Sequence, residues 1–206
     1  MHIAKLILDP NHPQARRDIA DAYEMHRTLC RAFAVSESET PARFLWRLES
    51  GDPTSGLRDV VVLAQSAAAG NWQPIAGSRG YRLEGAKRVD LDRLLQSGRL
   101  YHFRLAANAT VTRGGRRFGL VGEKAQQAWL ARQAERFDFG LRESVVTGGN
   151  RLVVRQGRDG QRISVDVVRF DGVLEVREPA AMRRALTEGI GHAKALGLGM
   201  LSLAPA

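Results

Sequence analysis

The chain has 206 residues, of which 44% are hydrophobic, and it carries 31 Lys and Arg against 22 Asp and Glu, a formal net charge of +9. This length and apolar content suffice for one large domain or two small ones, and they argue against a globally disordered chain. The positive charge favours a polyanionic partner, although a basic surface that only confers solubility is the alternative. Because no apolar run approaches the roughly 20 residues that cross a bilayer, we expect nucleic acid as the partner and no membrane.

The cysteine and histidine residues indicate which disulfides and metal sites the chain could form. A single cysteine, Cys30, excludes a disulfide within the chain, which fits the cytoplasmic location that we predict. The N-terminus lacks the basic and apolar segments of a signal peptide. The histidines are scattered and none has a zinc-ligand spacing to another histidine or to Cys30. We therefore expect no metal site and no cofactor.

The first half of the chain predicts alternating strands and helices. Residues 2–8 form an apolar run that Asp9 and Pro10 end, so they predict a strand. Apolar residues three or four apart predict helix from about 14 to 34, in two pieces if Asp18 or Asp21 caps a second start. A loose, glycine-containing segment spans 66–90. The remaining predicted elements are strands at 43–49 and 58–65, a short helix at 90–97 and a strand at 101–105.

The second half repeats this order. The predicted elements are a strand near 117–121, a helix at 123–136, strands at 151–157, 162–170 and 173–177, a helix from Pro179 to 188 and a last strand at 199–203. Leaving aside the additional short strand at 173–177, each half has the order βαββαβ. We predict an α+β fold of two tandem ferredoxin-like (RRM-like) domains, at 1–107 and 117–206, with a linker at 108–116.

The first candidate site lies on the first predicted helix, where Tyr23 and His26 are roughly 60° apart at the edge of the apolar face. Arg27 follows Tyr23 by four residues, so these side chains are neighbours as well. An imidazole beside a phenol and a guanidinium suits proton transfer next to a phosphate. The alternative is a boundary histidine whose ring nitrogens bond to the backbone.

The second candidate is the C-terminal segment 189–199, which contains Lys194 and four glycines. The glycines are Gly189, Gly191, Gly197 and Gly199. Such a loop can approach a ligand closely and expose N–H groups to phosphate oxygens. It has neither the ending of a Walker A loop nor the spacing of a dinucleotide-binding fingerprint. A glycine-capped helix end is the alternative.

Clusters of arginine form the third candidate. The predicted hairpin at 151–170 could lie along an RNA stem as a basic two-stranded ribbon. The alternative is a solvated edge hairpin that its charges protect from aggregation. Smaller clusters lie at the predicted linker and at the start of the first helix. The residues that we assign to RNA binding are Arg16, Arg17, Arg27, Arg113, Arg116, Arg117, Arg155, Arg158, Arg162 and Lys194.

Several segments together resemble one known family. They are residues 2–10, 15–29, 101–109, 123–130 and 189–203, of which the string Tyr-Glu-Met-His-Arg-Thr-Leu at 23–29 and the closing glycine-rich loop are the most specific. In these segments, which run from end to end, the chain resembles the CasE (Cse3) endoribonucleases of type I-E CRISPR systems.

The resemblance has implications for fold and function. It implies a RAMP-type protein with two ferredoxin-like domains, in agreement with the pattern above. It implies cleavage of precursor CRISPR RNA at the base of the repeat stem-loop, retention of the mature crRNA and assembly with the other Cascade subunits. Tyr23 and His26 match the catalytic tyrosine and histidine of the family, and Lys194 occupies the basic position of its glycine-rich loop.

We hypothesise a metal-independent transesterification, in which a ribose 2′-hydroxyl attacks the adjacent phosphorus and leaves a 2′,3′-cyclic phosphate and a 5′-hydroxyl. His26 acts as the general base on the hydroxyl or as the general acid on the leaving oxygen, and the sequence leaves both roles open. Tyr23 would orient or supply the second proton-transfer group, and Arg27 would stabilise the phosphoryl charge. The alternatives are a non-catalytic subunit that binds the RNA stem-loop and a basic regulator that binds DNA or other RNA.

Overall fold

The computed structural model describes residues 1–34, 39–50, 60–155 and 162–206. The described chain forms two compact units, each with one four-stranded sheet. The first unit comprises Met1–Val89, Ala195–Gly197 and the described residues of Val154–Ile163, and the second comprises Asp90–Val153, Ser164–Lys194 and Leu198–Ala206. No helix in the described ranges is long and apolar enough to span a membrane.

The described residues of the first unit include seven helices and strands. They are β1 (His2–Leu8), α1 (Pro13–Ala20), α2 (Ala22–Cys30), β2 (Phe44–Ser50), β3 (Val60–Ser66), α3 (Gln73–Ala76) and β4 (Tyr81–Arg88). The sheet order is β2-β3-β1-β4, and β1 pairs antiparallel with β3 and β4. This is the ferredoxin-like order. The core lies between this sheet and α2. It includes Leu6 and Leu8, which alternate along β1, and Met25 and Leu29, which share one face of α2, and all four side chains are fully or almost fully buried.

The sequence left open whether Asp18 or Asp21 divides the first helical stretch, and in the structure the break lies at Asp21. Asp21 has an extended backbone that ends α1, and its side chain accepts a hydrogen bond of 2.8 Å from the Tyr23 N–H at the start of α2. This is the geometry of an N-cap. Asp18, the other candidate, is instead buried within α1. The cap therefore fixes where the helix that carries Tyr23 and His26 begins.

The second unit repeats the arrangement with an added hairpin. Its elements are α4 (Leu91–Leu94), β5 (Leu100–Ala107), β6 (Thr110–Arg113), β7 (Arg116–Gly119), α5 (Glu123–Arg136), β8 (Phe139–Arg155), β9 (Arg162–Val176), α6 (Pro179–Glu188) and β10 (Leu201–Pro205). The sheet order is β10-β5-β9-β8, which is again ferredoxin-like, and β6 and β7 form a separate two-stranded sheet. The predicted helices at 123–136 and from Pro179 are confirmed.

The predicted fold class is confirmed, but two strands differ from the prediction. The fourth strand of the first sheet is β4, inside the segment 66–90 that the sequence left without regular structure. The strand predicted for that position, β5, pairs instead with β9 and β10. The alternation of buried residues along β5 identifies a half-buried strand but not its partner. Since β4 lies at the sheet edge and is mostly exposed, it has little apolar pattern to recognise.

The boundary between the units also differs from the prediction. It lies between Val89 and Asp90 and not in the segment 108–116. Most of that segment belongs to the β6–β7 hairpin, whose turn is Gly114–Gly115 with positive φ at both residues. Tight hairpin turns and interdomain linkers are both rich in glycine, so composition alone does not distinguish a hairpin from a linker here. The predicted strands at 162–170 and 173–177 are one continuous strand, β9.

Candidate active site

His26 lies at the rim of the first unit's core, on the side of α2 next to the buried Met25 and Leu29. Its ring is half-buried and stacks on Phe44 of β2, with ring centroids 5.0 Å apart and planes 20° apart. The Nδ1 atom is buried and has no hydrogen-bond partner in the described chain. Burial therefore lowers the pKa of His26 below its ordinary value. This shift favours the uncharged ring, which is the form that accepts a proton.

Tyr23 and Arg27 flank His26 on the same helix. Tyr23 is half-buried one turn earlier, while Arg27 is exposed and pairs with Glu24, with 3.0 Å between Arg27 Nη1 and Glu24 Oε1. Exposed pairs of this kind contribute about 0–1 kcal/mol, so a phosphate could displace Glu24. The helix thus brings Tyr23 and His26 to neighbouring positions, and it leaves Arg27 at the surface in a pair that is easily exchanged.

The four glycines of the C-terminal segment all have positive φ, between 75° and 86°. Two of their N–H groups are used within the protein, since Gly189 donates to the Ala185 carbonyl and Gly199 donates to the Ala106 carbonyl. Lys194 donates from Nζ to the Gly191 carbonyl at 2.6 Å, and this hydrogen bond within the loop stabilises its conformation. These contacts give the segment a structural role, and they reduce the number of N–H groups that could contact a phosphate.

Close packing explains two of these glycines. A Cβ at Gly191 would lie 3.2 Å from the Trp129 ring of α5, and a Cβ at Gly197 would lie 2.9 Å from the Trp46 ring of β2. Phe44 and Trp46 are two residues apart on β2, so they share one face of the strand. The same strand face therefore contacts both His26 and the segment that contains Gly197.

The structure describes most of the arginines that we assigned to RNA binding. Those on α1 (Arg16 and Arg17), on the β6–β7 hairpin (Arg113, Arg116 and Arg117) and at the start of β9 (Arg162) are exposed. Arg17 pairs with Asp18 at 2.7 Å. The Arg155 side chain and the whole of Arg158 lie outside the described residues, so the tip of the predicted basic ribbon stays a prediction.

The second unit contains a basic pocket that the sequence analysis missed. Its wall includes Arg113, Arg132, Arg136 and His192, and none of its described lining residues is Asp or Glu. Within the described chain these arginines have no carboxylate partner, in contrast to Arg17 and to Arg183, which pairs with Asp92. Arg132 and Arg136 are four residues apart on α5, and this helical spacing could have revealed them in the sequence.

The positive charges near this basic pocket affect the pKa of His192. Burial lowers the pKa of His192, and the positive charges of Arg117, Lys194 and Arg136 lower it further. Several cations therefore act on one imidazole without a compensating carboxylate in the pocket wall. Such a pocket favours an anionic ligand such as a phosphate group.

No group of three or more His, Cys, Asp or Glu side chains that could hold a metal ion occurs in the part of the chain that the structure describes.

Comparison with known proteins gives matches over the whole chain. Residues 1–205 match the model of a family described as CRISPR associated protein. The chain is 36% identical to the CRISPR-associated endoribonuclease Cse3 of Thermus thermophilus and 29% identical to the Cascade subunit CasE of Escherichia coli, and each comparison covers 100% of both proteins. A solved structure of Thermus thermophilus Cse3, bound to an RNA representing a pre-cleavage complex, is similar with a TM-score of 0.86 and 34% identity, over 99% of this chain and 98% of that chain.

Proposed function

The chain belongs to the family of CRISPR-associated proteins, and from this membership we propose that it is an endoribonuclease that cleaves precursor CRISPR RNA at the base of the repeat stem-loop. The Thermus relative is named an endoribonuclease and the Escherichia coli relative a Cascade subunit. We extend both properties to this chain, which would keep the mature crRNA and join other Cascade subunits in the cytoplasm. The single cysteine fits that compartment.

The observation that carries the catalytic part of the proposal is the half-buried position of His26, which is stacked on Phe44 with its Nδ1 atom buried. Its Nδ1 is buried, so proton exchange with a substrate runs through Nε2. Because burial favours the neutral ring, we assign His26 as the general base that takes the proton of the ribose 2′-hydroxyl. The resulting oxygen attacks the adjacent phosphorus, the bond to the leaving 5′-oxygen breaks, and a 2′,3′-cyclic phosphate and a 5′-hydroxyl form. No step in this scheme needs a metal ion.

The remaining site residues support this step. Tyr23, one turn before His26, is proposed to orient the reacting groups or to protonate the leaving oxygen. Arg27 would exchange its pair with Glu24 for a phosphoryl oxygen and stabilise the charge that develops there. Positive charges on the second unit, on the β6–β7 hairpin and in the basic pocket, would hold the RNA backbone.

The decisive experiment is incubation of the protein with its own CRISPR repeat hairpin in excess EDTA. We expect a single cut that ends in a 2′,3′-cyclic phosphate, and no cut when the ribose upstream of the site is 2′-deoxy. His26→Ala should bind the hairpin with unchanged affinity and cut it at least 100-fold more slowly. His102→Ala, which removes an exposed histidine of β5, is the matched control and should cut normally.

Two results would overturn parts of the proposal. Cleavage by His26→Ala at the wild-type rate would show that another residue is the base. Tight binding by the wild-type protein without any product, with metal ions present or absent, would leave a stem-loop-binding subunit that does not cut.

A further inference from the structure

The side chain of Phe44 lies between two other rings. On one side it stacks on His26, with centroids 5.0 Å apart, and on the other it stacks on Phe33, with centroids 4.5 Å apart and planes 11° apart. Phe44 is only 7% exposed. One face of the His26 imidazole is therefore covered by a flat apolar surface that is itself packed from behind.

The far side of this stack is anchored by the backbone and by a third aromatic ring. Trp72 packs edge-on against Phe33, with centroids 5.4 Å apart, and a Cβ at Gly70 would come within 3.1 Å of the Phe33 ring. The Asn71 N–H donates to the Ala32 carbonyl at 2.8 Å, next to Phe33 in the chain. Because protein interiors are close-packed, a stack held in this way has little freedom to tilt.

We propose that Phe44 is a positioning residue for His26, which fixes the plane of the imidazole and so presents Nε2 to the reacting ribose. The proposal rests on the proposed function, since it takes His26 as the base of an RNA cleavage reaction. Stacking restrains the ring plane, and the core side of the ring already contains the buried Nδ1. A misplacement of reacting groups by about 1 Å can cost roughly 100-fold in rate, so a fixed plane matters to the reaction.

Among the described residues, the charged groups on the elements next to His26 pair with other side chains or lie on another face. On α2, Glu24 and Arg27 pair with each other, and on the adjoining α1 Asp18 pairs with Arg17. On β2 the nearest charges, Arg47 and Glu49, alternate onto the opposite strand face from Phe44.

Burial is the cause that lowers the pKa of His26. The stacked face contributes to that burial, so loss of the Phe44 ring should raise the pKa toward its ordinary value.

The test compares Phe44→Leu with Phe44→Tyr in the full-length protein. In the free protein, NMR titration of the His26 Hε1 signal should give a higher pKa for Phe44→Leu and an unchanged pKa for Phe44→Tyr, which keeps a ring. In single-turnover cleavage of the repeat hairpin, Phe44→Leu should lower the plateau rate roughly 10- to 100-fold without changing the RNA dissociation constant. Its pH profile should shift upward in parallel with the NMR titration.

A matched control separates positioning from general loss of packing. Phe103→Leu removes a ring that is 4% exposed in β5 of the second unit, and it should leave the His26 titration unchanged. The proposal fails if folded Phe44→Leu, or Phe44→Ile where the leucine variant does not fold, titrates and cleaves as the wild type does. The NMR measurement needs no cleavage, so it separates the two proposals. If Phe44→Leu shifts the His26 titration but the wild-type protein cuts no RNA, the proposed function is refuted and the positioning of the ring by Phe44 stands.

Discussion

Asp18 of α1 accepts a hydrogen bond of 2.5 Å from the Thr28 hydroxyl of α2. The same carboxylate, which is 1% exposed, also accepts from the Tyr81 hydroxyl of β4 and from Arg17 Nε. Burial, and then the bond to Asp18, raise the pKa of Tyr81, so the phenol stays protonated and donates. One buried carboxylate thus joins two helices and a strand, two residues along α2 from His26.

Removal of this carboxylate should destabilise the first unit. Asp18→Ala would leave the Thr28 and Tyr81 hydroxyls buried without an acceptor, each at a cost of about 1–3 kcal/mol. We expect the free energy of unfolding in urea to fall by roughly 2–4 kcal/mol, and cleavage to weaken because α2 loses its anchor. Thr28→Val removes the hydroxyl and keeps the shape of the side chain, so it should cost about 1 kcal/mol. A Thr28→Val protein as stable as the wild type would show that the hydroxyl bond contributes nothing.

The ends of elements and the helix that carries the candidate site could be predicted because their signals are local. Asp21 as a cap, Pro179 at the start of α6 and the spacing of Tyr23 and His26 each depend on neighbours within a few residues. The partner of β5 could not be predicted in this way, since pairing is decided by residues far along the chain. The Phe44 stack was missed for the same reason, because the two rings are 18 positions apart in the sequence.

Cleavage should depend on pH through His26. Since burial lowers its pKa, the neutral, active form should already predominate at a pH below the ordinary histidine pKa of about 6.5. We expect single-turnover rates to rise with pH at the acidic end and to level off below pH 6.5. A rate that still rises tenfold per unit above pH 7 would contradict a neutral His26 base.

The same shift predicts a contribution of His26 to stability. A histidine whose pKa is lowered in the folded state binds protons more readily when the chain is unfolded. Its contribution to the free energy of unfolding is therefore present above about pH 6.5 and is lost as the pH falls through the folded-state pKa. The wild-type protein should therefore lose stability between pH 7.5 and pH 5 in urea unfolding, and His26→Gln should lose less. His192, whose pKa is also lowered, is present in both proteins and cancels in this comparison. Identical pH dependence of the two proteins would argue against the burial of the ring.

The basic pocket of the second unit should contact RNA phosphates. Arg132→Ala and Arg136→Ala should each weaken hairpin binding several-fold and should each reduce the slope of log K against log salt by about 1. Arg183→Ala is the matched control, because this arginine of α6 is paired with Asp92 and lies outside the pocket wall. Fluorescence anisotropy at several salt concentrations gives both quantities. An unchanged slope in both α5 variants would exclude phosphate contact at the pocket.

Gly197 should be intolerant of even the smallest side chain, for two separable reasons. Its φ of 79° strains any L-residue, and a Cβ there would lie 2.9 Å from the Trp46 ring. Gly98 has a φ of 80° but nothing within 4 Å of a Cβ, so Gly98→Ala should cost only the backbone strain of about 1–2 kcal/mol.

Gly197→Ala adds overpacking of roughly 1–3 kcal/mol to that strain. It should also slow cleavage, since Trp46 and Phe44 share a face of β2 and a displaced Trp46 disturbs the surface beneath His26. Urea unfolding and single-turnover cleavage of the two variants measure these effects. If both glycine variants lose the same stability and the same rate, the close contact with Trp46 has no influence on the site.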